Sequence, residues 1–95
     1  MDITGNPLRV DAADVVAGPV TVWSSVLHIY QLEFIKYNGV GDSATVNDIN
    51  GKLKGYLAAD GGDKATVRSG NIGFSNGIVI PQGGITNGTL LVYIR

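Results

Sequence analysis

Short runs rich in Val, Ile, Thr and aromatic residues alternate with glycine- and asparagine-rich breaks along the whole chain. Such residues fit a pleated, half-buried surface, and Asn-Gly supplies the two positive-φ positions of a type I′ hairpin turn. That dipeptide stands at Asn38-Gly39, Asn50-Gly51, Asn76-Gly77 and Asn87-Gly88, with further breaks at Gly5-Asn6-Pro7, Gly18-Pro19, Gly61-Gly62, Gly70 and Pro81-Gln82-Gly83-Gly84. The runs between them predict strands over Leu8 to Val10, Val20 to Ser24, Val26 to Tyr37, Ala44 to Asp48, Lys52 to Ala58, Ala65 to Arg68, Ile72 to Phe74, Ile78 to Ile80 and Thr89 to Arg95. The most helix-like stretch, Val10 to Ala17, is too short and too weakly periodic to propagate a helix. Strands at this spacing predict an all-β fold: a small antiparallel β-sandwich of jelly-roll or Ig-like type, or a flattened barrel.

Alternation within the runs carries register. A two-residue loop at Asn50-Gly51 pairs Ile49 with Lys52 and places Ala44, Val46, Leu53 and Leu57 on one face. A longer loop starting at Asp48 would turn Lys54 onto that face, so the pattern favours the shorter turn. In the long run, Gln31 and Glu33 alternate with Leu32 and Phe34, but Ile35 follows Phe34 directly, the mark of a bulge or a change of surroundings. Val26 to Tyr30 and Leu90 to Ile94 are apolar on both faces apart from His28, which calls for a second partner on the outside.

Size and charge narrow the class. At 95 residues and 9.9 kDa the chain is read as a single domain over residues 1–95, with 1–17 as an extended N-terminal arm. It has no cysteine, so neither disulfides nor thiolate metal sites are expected. A net charge of −1 and a pI near 5.5 argue against nucleic-acid binding, which needs clustered cations. Only 16% of residues are charged, against about 25% in ordinary soluble domains, and a charge-poor surface is often one that meets other protein. No signal peptide and no apolar run of membrane-spanning length is evident, so the expectation is a soluble protein made in a cytoplasm, not secreted and with no membrane partner.

Candidate chemistry is sparse. Gly39-Val40-Gly41-Asp42-Ser43-Ala44 fits G-x-G-x-x-A, but a dinucleotide fingerprint must open a helix, and Ala44-Thr45-Val46 begins a strand. It reads as a glycine-rich loop. His28 is the only histidine and lies among apolar strand residues, without a nucleophile elbow. Glu33 is the only glutamate, and the aspartates fall mostly in turns. Asp60-Gly61-Gly62-Asp63 could offer oxygen ligands to calcium but lacks the spacing of an EF-hand loop. Asn87-Gly88-Thr89 is a formal glycosylation sequon that reads first as a turn. No catalytic, cofactor or metal residues are therefore expected.

The aromatics suggest a surface instead. Trp23, Tyr30, Tyr37, Tyr56 and Tyr93 lie on predicted strands, where rings build cores, anchor interfaces or stack on sugars. With the two-sided apolar runs, this makes Trp23, Val26, His28, Tyr30, Leu91, Tyr93 and Arg95 the expected interface.

Gly18-Pro19-Val20 leading to a long strand ending near Phe34, the hairpin through Asn50-Gly51-Lys52, Val67-Arg68-Ser69-Gly70 with Ile72-Gly73-Phe74, Asn76-Gly77-Ile78 and the closing Gly88-Thr89-Leu90-Leu91-Val92-Tyr93-Ile94 form a pattern. In it the chain resembles small β-sandwich virion proteins of tailed bacteriophages. The resemblance covers Gly18 to Arg95 and implies a non-enzymatic capsid decoration or cement subunit. Such a subunit would be a homo-oligomer, taken here as a trimer, bound to the major capsid protein or another virion protein. Two rivals are a carbohydrate- or receptor-binding module using Trp23 and the tyrosines on a glycan, and a small hydrolase built around His28.

Overall fold

The computed structural model describes residues 1–59 and 66–95. These form seven strands, β1 (Leu8–Asp11), β2 (Val20–Ile35), β3 (Ser43–Asn47), β4 (Leu53–Ala58), β5 (Thr66–Arg68), β6 (Gly73–Ile80) and β7 (Thr89–Ile94), and one 3-10 turn at Ala12–Val15. Every pairing is antiparallel, and the strands join one sheet in the order β1-β7-β2-β6-β3-β4, with β5 also on β2. The fold is all-β, and the sheet does not close into a barrel. The β3-β4 hairpin packs over β2, so that a Cβ on Gly55 would lie 2.5 Å from Leu32 Cδ1.

The 16-residue β2 organises the rest. Its first half pairs with β6, from Val20↔Ile80 to Ile29↔Gly73. Its second half lies between β7, from Ile29↔Ile94 to Ile35↔Thr89, and β5, from Glu33↔Arg68 to Ile35↔Thr66. Burial along it changes parity: Val22 points inward, then Leu27 and Ile29, then Leu32 and Phe34. The register shifts between Trp23 and Val26 and between Ile29 and Gln31 make those changes. The run Val26 to Tyr30 therefore reads as apolar on both sides partly because the strand switches phase within it. Ser24-Ser25 does not break the strand as expected, and the phase break expected at Phe34-Ile35 lies at Tyr30. The strand ends at Ile35, just before Lys36, whose φ is +60°.

The expected break at Asn76-Gly77 is likewise inside a strand. Gly77 has φ +79° and lies where β2 bulges, with its Cβ position 2.7 Å from the Trp23 carbonyl oxygen. In the β3-β4 hairpin both turn readings are partly realised. The pairs Ala44↔Leu57, Thr45↔Tyr56 and Val46↔Gly55 keep the register of the short loop. The turn itself starts at Asp48, whose carboxylate accepts from the Asn50 and Lys52 amides at 2.8 and 2.9 Å. A register shift between Val46 and Asn47 reconciles the two by pairing Asn47 with Leu53. Leu53, expected on the Val46 face, is consequently 59% exposed.

Residues 8–15 belong to the fold and are not an arm. β1 pairs along β7, and Leu8, Val10 and Val15 are buried with Ile29, Phe34, Ile78, Ile80, Leu90 and Val92 in one core. The preceding segment folds back through an Asp2↔Arg9 bridge. The Asn6 side-chain amide donates to the Ile94 carbonyl at 2.7 Å and accepts from the Ile94 N–H at 3.0 Å, continuing the ladder where β1 has ended.

Candidate functional site

Because Leu27 and Ile29 point into the core, Val26 and His28 point out; after the shift at Tyr30, Gln31 and Glu33 point out. On the flanking strands the same alternation turns Phe74 and Asn76 of β6, Arg68 of β5 and Leu91 and Tyr93 of β7 to that side. Cross-strand pairing joins these into a strip: Val26↔Asn76, His28↔Phe74, Gln31↔Tyr93, and Glu33 with both Arg68 and Leu91.

One end of the strip is apolar and open, with Val26 65% and Phe74 72% exposed. His28 meets the Phe74 ring edge-on at 5.2 Å, and its Nδ1 is buried without a hydrogen-bond partner among the described residues. In the middle, Tyr30 and Tyr93 lie 5.8 Å apart, and the Arg95 guanidinium sits 5.0 Å above the Tyr30 ring. At the other end the Glu33 carboxylate is largely buried. It accepts from the Tyr93 hydroxyl at 3.0 Å and from Arg68 Nε at 2.6 Å. Burial of the phenol, with the Glu33 hydrogen bond and charge, pushes Tyr93 above the ordinary tyrosine range.

Six of the seven expected interface residues, Val26, His28, Tyr30, Leu91, Tyr93 and Arg95, thus share one face. Trp23 does not: it pairs with the buried Ile78 and packs on the core. Together with Ile3, Thr21, Val22, Ser24 and Ser25 it lines a cleft of about 390 Å³. Phe74, Glu33 and Arg68 complete the strip without having been expected there. Phe74 and Arg68 lie in short runs whose pairing with β2 is tertiary and leaves no mark in their own sequence.

The Gly39-to-Ala44 loop has a structural account. The Asp42 carboxylate accepts from the Asn38 and Gly39 amides at 2.7 and 3.1 Å, from Thr86 Oγ1 at 3.1 Å and from Asn87 Nδ2 at 2.9 Å. Of the loop's amides, those of Asn38 and Gly39 are thus bonded to the chain's own anion, those of Gly41 and Asp42 donate to the Ala59 and Gly39 carbonyl oxygens, and that of Ser43 donates to Thr86 Oγ1. The bond from Asn87, with the others, holds Asp42 below the usual carboxylate range. Among the described residues, no three His, Cys, Asp or Glu side chains converge on a metal-binding position. The Asp60 to Asp63 turn, considered for calcium, lies outside the described residues.

Comparison of the chain with protein-family models, with curated proteins and with solved structures gives no match.

Proposed function

We propose that this protein is a non-enzymatic assembly subunit that works through protein-protein contacts, and specifically a decoration or cement protein of a tailed-phage head. The reading is carried by the outer strip of β6, β2 and β7. It combines exposed Phe74 and Val26 with an aromatic pair and Arg95, and aromatic and Arg residues carry much of the binding energy of protein interfaces. Covering an apolar side chain the size of Val26 or Phe74 is worth about 1.5–3 kcal/mol, so a partner on this end gains several kcal/mol before its polar contacts count. The largely buried Glu33, held by Tyr93 and Arg68, gives the strip a fixed polar margin.

The low charged fraction supports the same reading, as does the resemblance to phage virion proteins. In this proposal the subunit self-associates, as a trimer, and seats on the major capsid protein or another virion protein. The test is solution mass by sedimentation, together with co-sedimentation with heads of the phage that encodes it. A stable monomer that never associates with virions would sink the proposal, whereas an assembly burying more than about 1,000 Å² per contact, with the strip inside it, is the expected result.

A further inference from the structure

The cleft beside Trp23 lies along an irregular stretch of β2. Thr21, Val22, Trp23, Ser24 and Ser25 line it together with Ile3, although the Val22 side chain itself is buried in the core. Two register shifts against β6, between Thr21 and Trp23 and between Trp23 and Val26, interrupt the regular alternation there. Bulges of this kind are enriched beside binding sites.

The lining has a definite chemistry. Thr21, Ser24 and Ser25 are exposed, and their hydroxyls bond no group among the described residues. None of the lining residues is charged, and no Asp, Glu, Lys or Arg occurs between Asp14 and Glu33. β7 ends opposite Ile29 and His28, so on that side the preceding stretch of β2 has no strand beside it among the described residues. Its backbone groups there remain open to a ligand. A charged ligand would lose hydration with no countercharge to meet it. An added peptide strand would need evenly placed N–H and C=O groups, and the bulges break that spacing. A ligand that is neutral, flat and apolar on one side and rich in hydroxyls at its rim meets each feature.

We infer that this cleft binds a neutral saccharide, with the Trp23 indole packing on the C–H face of a pyranose ring and Thr21, Ser24 and Ser25 exchanging hydrogen bonds with its hydroxyls. About 390 Å³ lies at the small end of ligand sites and suits one or two sugar rings. The site is distinct from the outer strip, so it stands or falls independently of the assembly role.

Trp23 is the only tryptophan, so intrinsic fluorescence reports this cleft alone. The purified chain is titrated with chitotriose, cellotriose and maltotriose, with sialyllactose as a charged control and an end-blocked Thr-Val-Thr-Val peptide as the strand control. The expected result is a saturable change in emission with at least one neutral trisaccharide, with Kd of about 1 mM. The Ser24→Ala/Ser25→Ala double variant weakens that binding about tenfold with thermal unfolding unchanged, since both side chains are exposed. Saturation-transfer NMR on Trp23→Phe checks the stacking and shows reduced binding. Flat titrations with all three neutral sugars to about 20 mM, preference for the peptide or for sialyllactose, or undiminished binding by the serine double variant would each overturn the inference.

Discussion

Gly55 of β4 lies directly over Leu32 of β2, and a Cβ at Gly55 would come within 2.5 Å of Leu32 Cδ1. Leu32 is completely buried, so its methyl has little room to retreat. This contact brings the β3-β4 hairpin down onto the central strand. Gly55→Ala is expected to destabilise the fold by about 1–2 kcal/mol, overpacking outweighing the smaller gain from restricting the unfolded chain. Combining it with Leu32→Val should cost less than the sum of the two single changes, because the second removes the obstructing carbon. Chemical denaturation of the four proteins measures this coupling, and strict additivity would contradict the contact.

The same contact shows what was readable in advance. Alternation put Ala44, Val46 and Leu57 on one face, and the all-β class followed from turn chemistry, which is local. What lies opposite a residue is not local. Asn50-Gly51 turns a hairpin while Asn76-Gly77 sits in mid-strand, and the difference lies in the bulged Trp23-to-Val26 stretch that faces Gly77. Val26, His28, Tyr30, Leu91, Tyr93 and Arg95 share a face because β2 and β7 are neighbours. Trp23 parts from them because the register shift that follows it reverses the parity of the strand. Phe74 and Arg68 joined the strip only through pairings that no pattern in their own short runs reveals.

Tyr93 should titrate above the ordinary tyrosine value, since burial and the Glu33 carboxylate both disfavour the phenolate. The folded-state value is raised, so the associated stability is fully present below about pH 10 and is lost as pH rises through the folded value. Absorbance titration of the wild type and of Glu33→Gln checks this. In the variant Tyr93 falls toward, but not to, its ordinary value, because burial persists. Tyr93→Phe should cost about 1 kcal/mol for the lost hydrogen bond. Arg68→Ala should cost less, as its side chain is 64% exposed and the ion pair is screened.

Asp42 has the opposite sign. Its carboxyl is held low by Asn87, Asn38, Gly39 and Thr86, so its contribution is present above the unfolded value near pH 4 and is lost as pH falls through the folded one. Asp42→Asn is expected to be less stable at neutral pH and to lose less stability between about pH 6 and pH 3 than the wild type. Asp2 and Asp14 are lowered as well, by the Thr4 and Asp11 amides respectively, so part of the acid slope survives in the variant. Denaturant midpoints across that range decide it, and identical slopes would show that Asp42 does not titrate with folding.

On the outer strip, Val26→Ser with Phe74→Ser should leave stability within about 1 kcal/mol of wild type, because both side chains are mostly exposed in the single chain. Self-association or capsid binding should fall at least tenfold if that end of the strip is the contact. Sedimentation at matched concentrations reads the loss. Unchanged association would move the interface elsewhere on the surface.

Gly77 tests whether the bulge that shapes the Trp23 cleft depends on a residue without a side chain. Its φ of +79° costs any other L-residue about 1–2 kcal/mol, and its Cβ position is also only 2.7 Å from the Trp23 carbonyl oxygen. The Ile49 Cγ2 methyl lies closer still; it can turn aside but a backbone oxygen cannot, so Gly77→Ala must displace both Ile49 and Trp23 and should cost about 2–4 kcal/mol in all. Gly83, with φ +67° and nothing within 4 Å of its Cβ position, supplies the comparison: Gly83→Ala carries the backbone cost alone, about 1–2 kcal/mol. The excess of the first over the second measures the close approach to Ile49 and Trp23 together. If the bulge is what holds the indole in place, only Gly77→Ala should shift tryptophan emission. Equal losses with unchanged emission would mean that the cleft keeps its shape without the glycine.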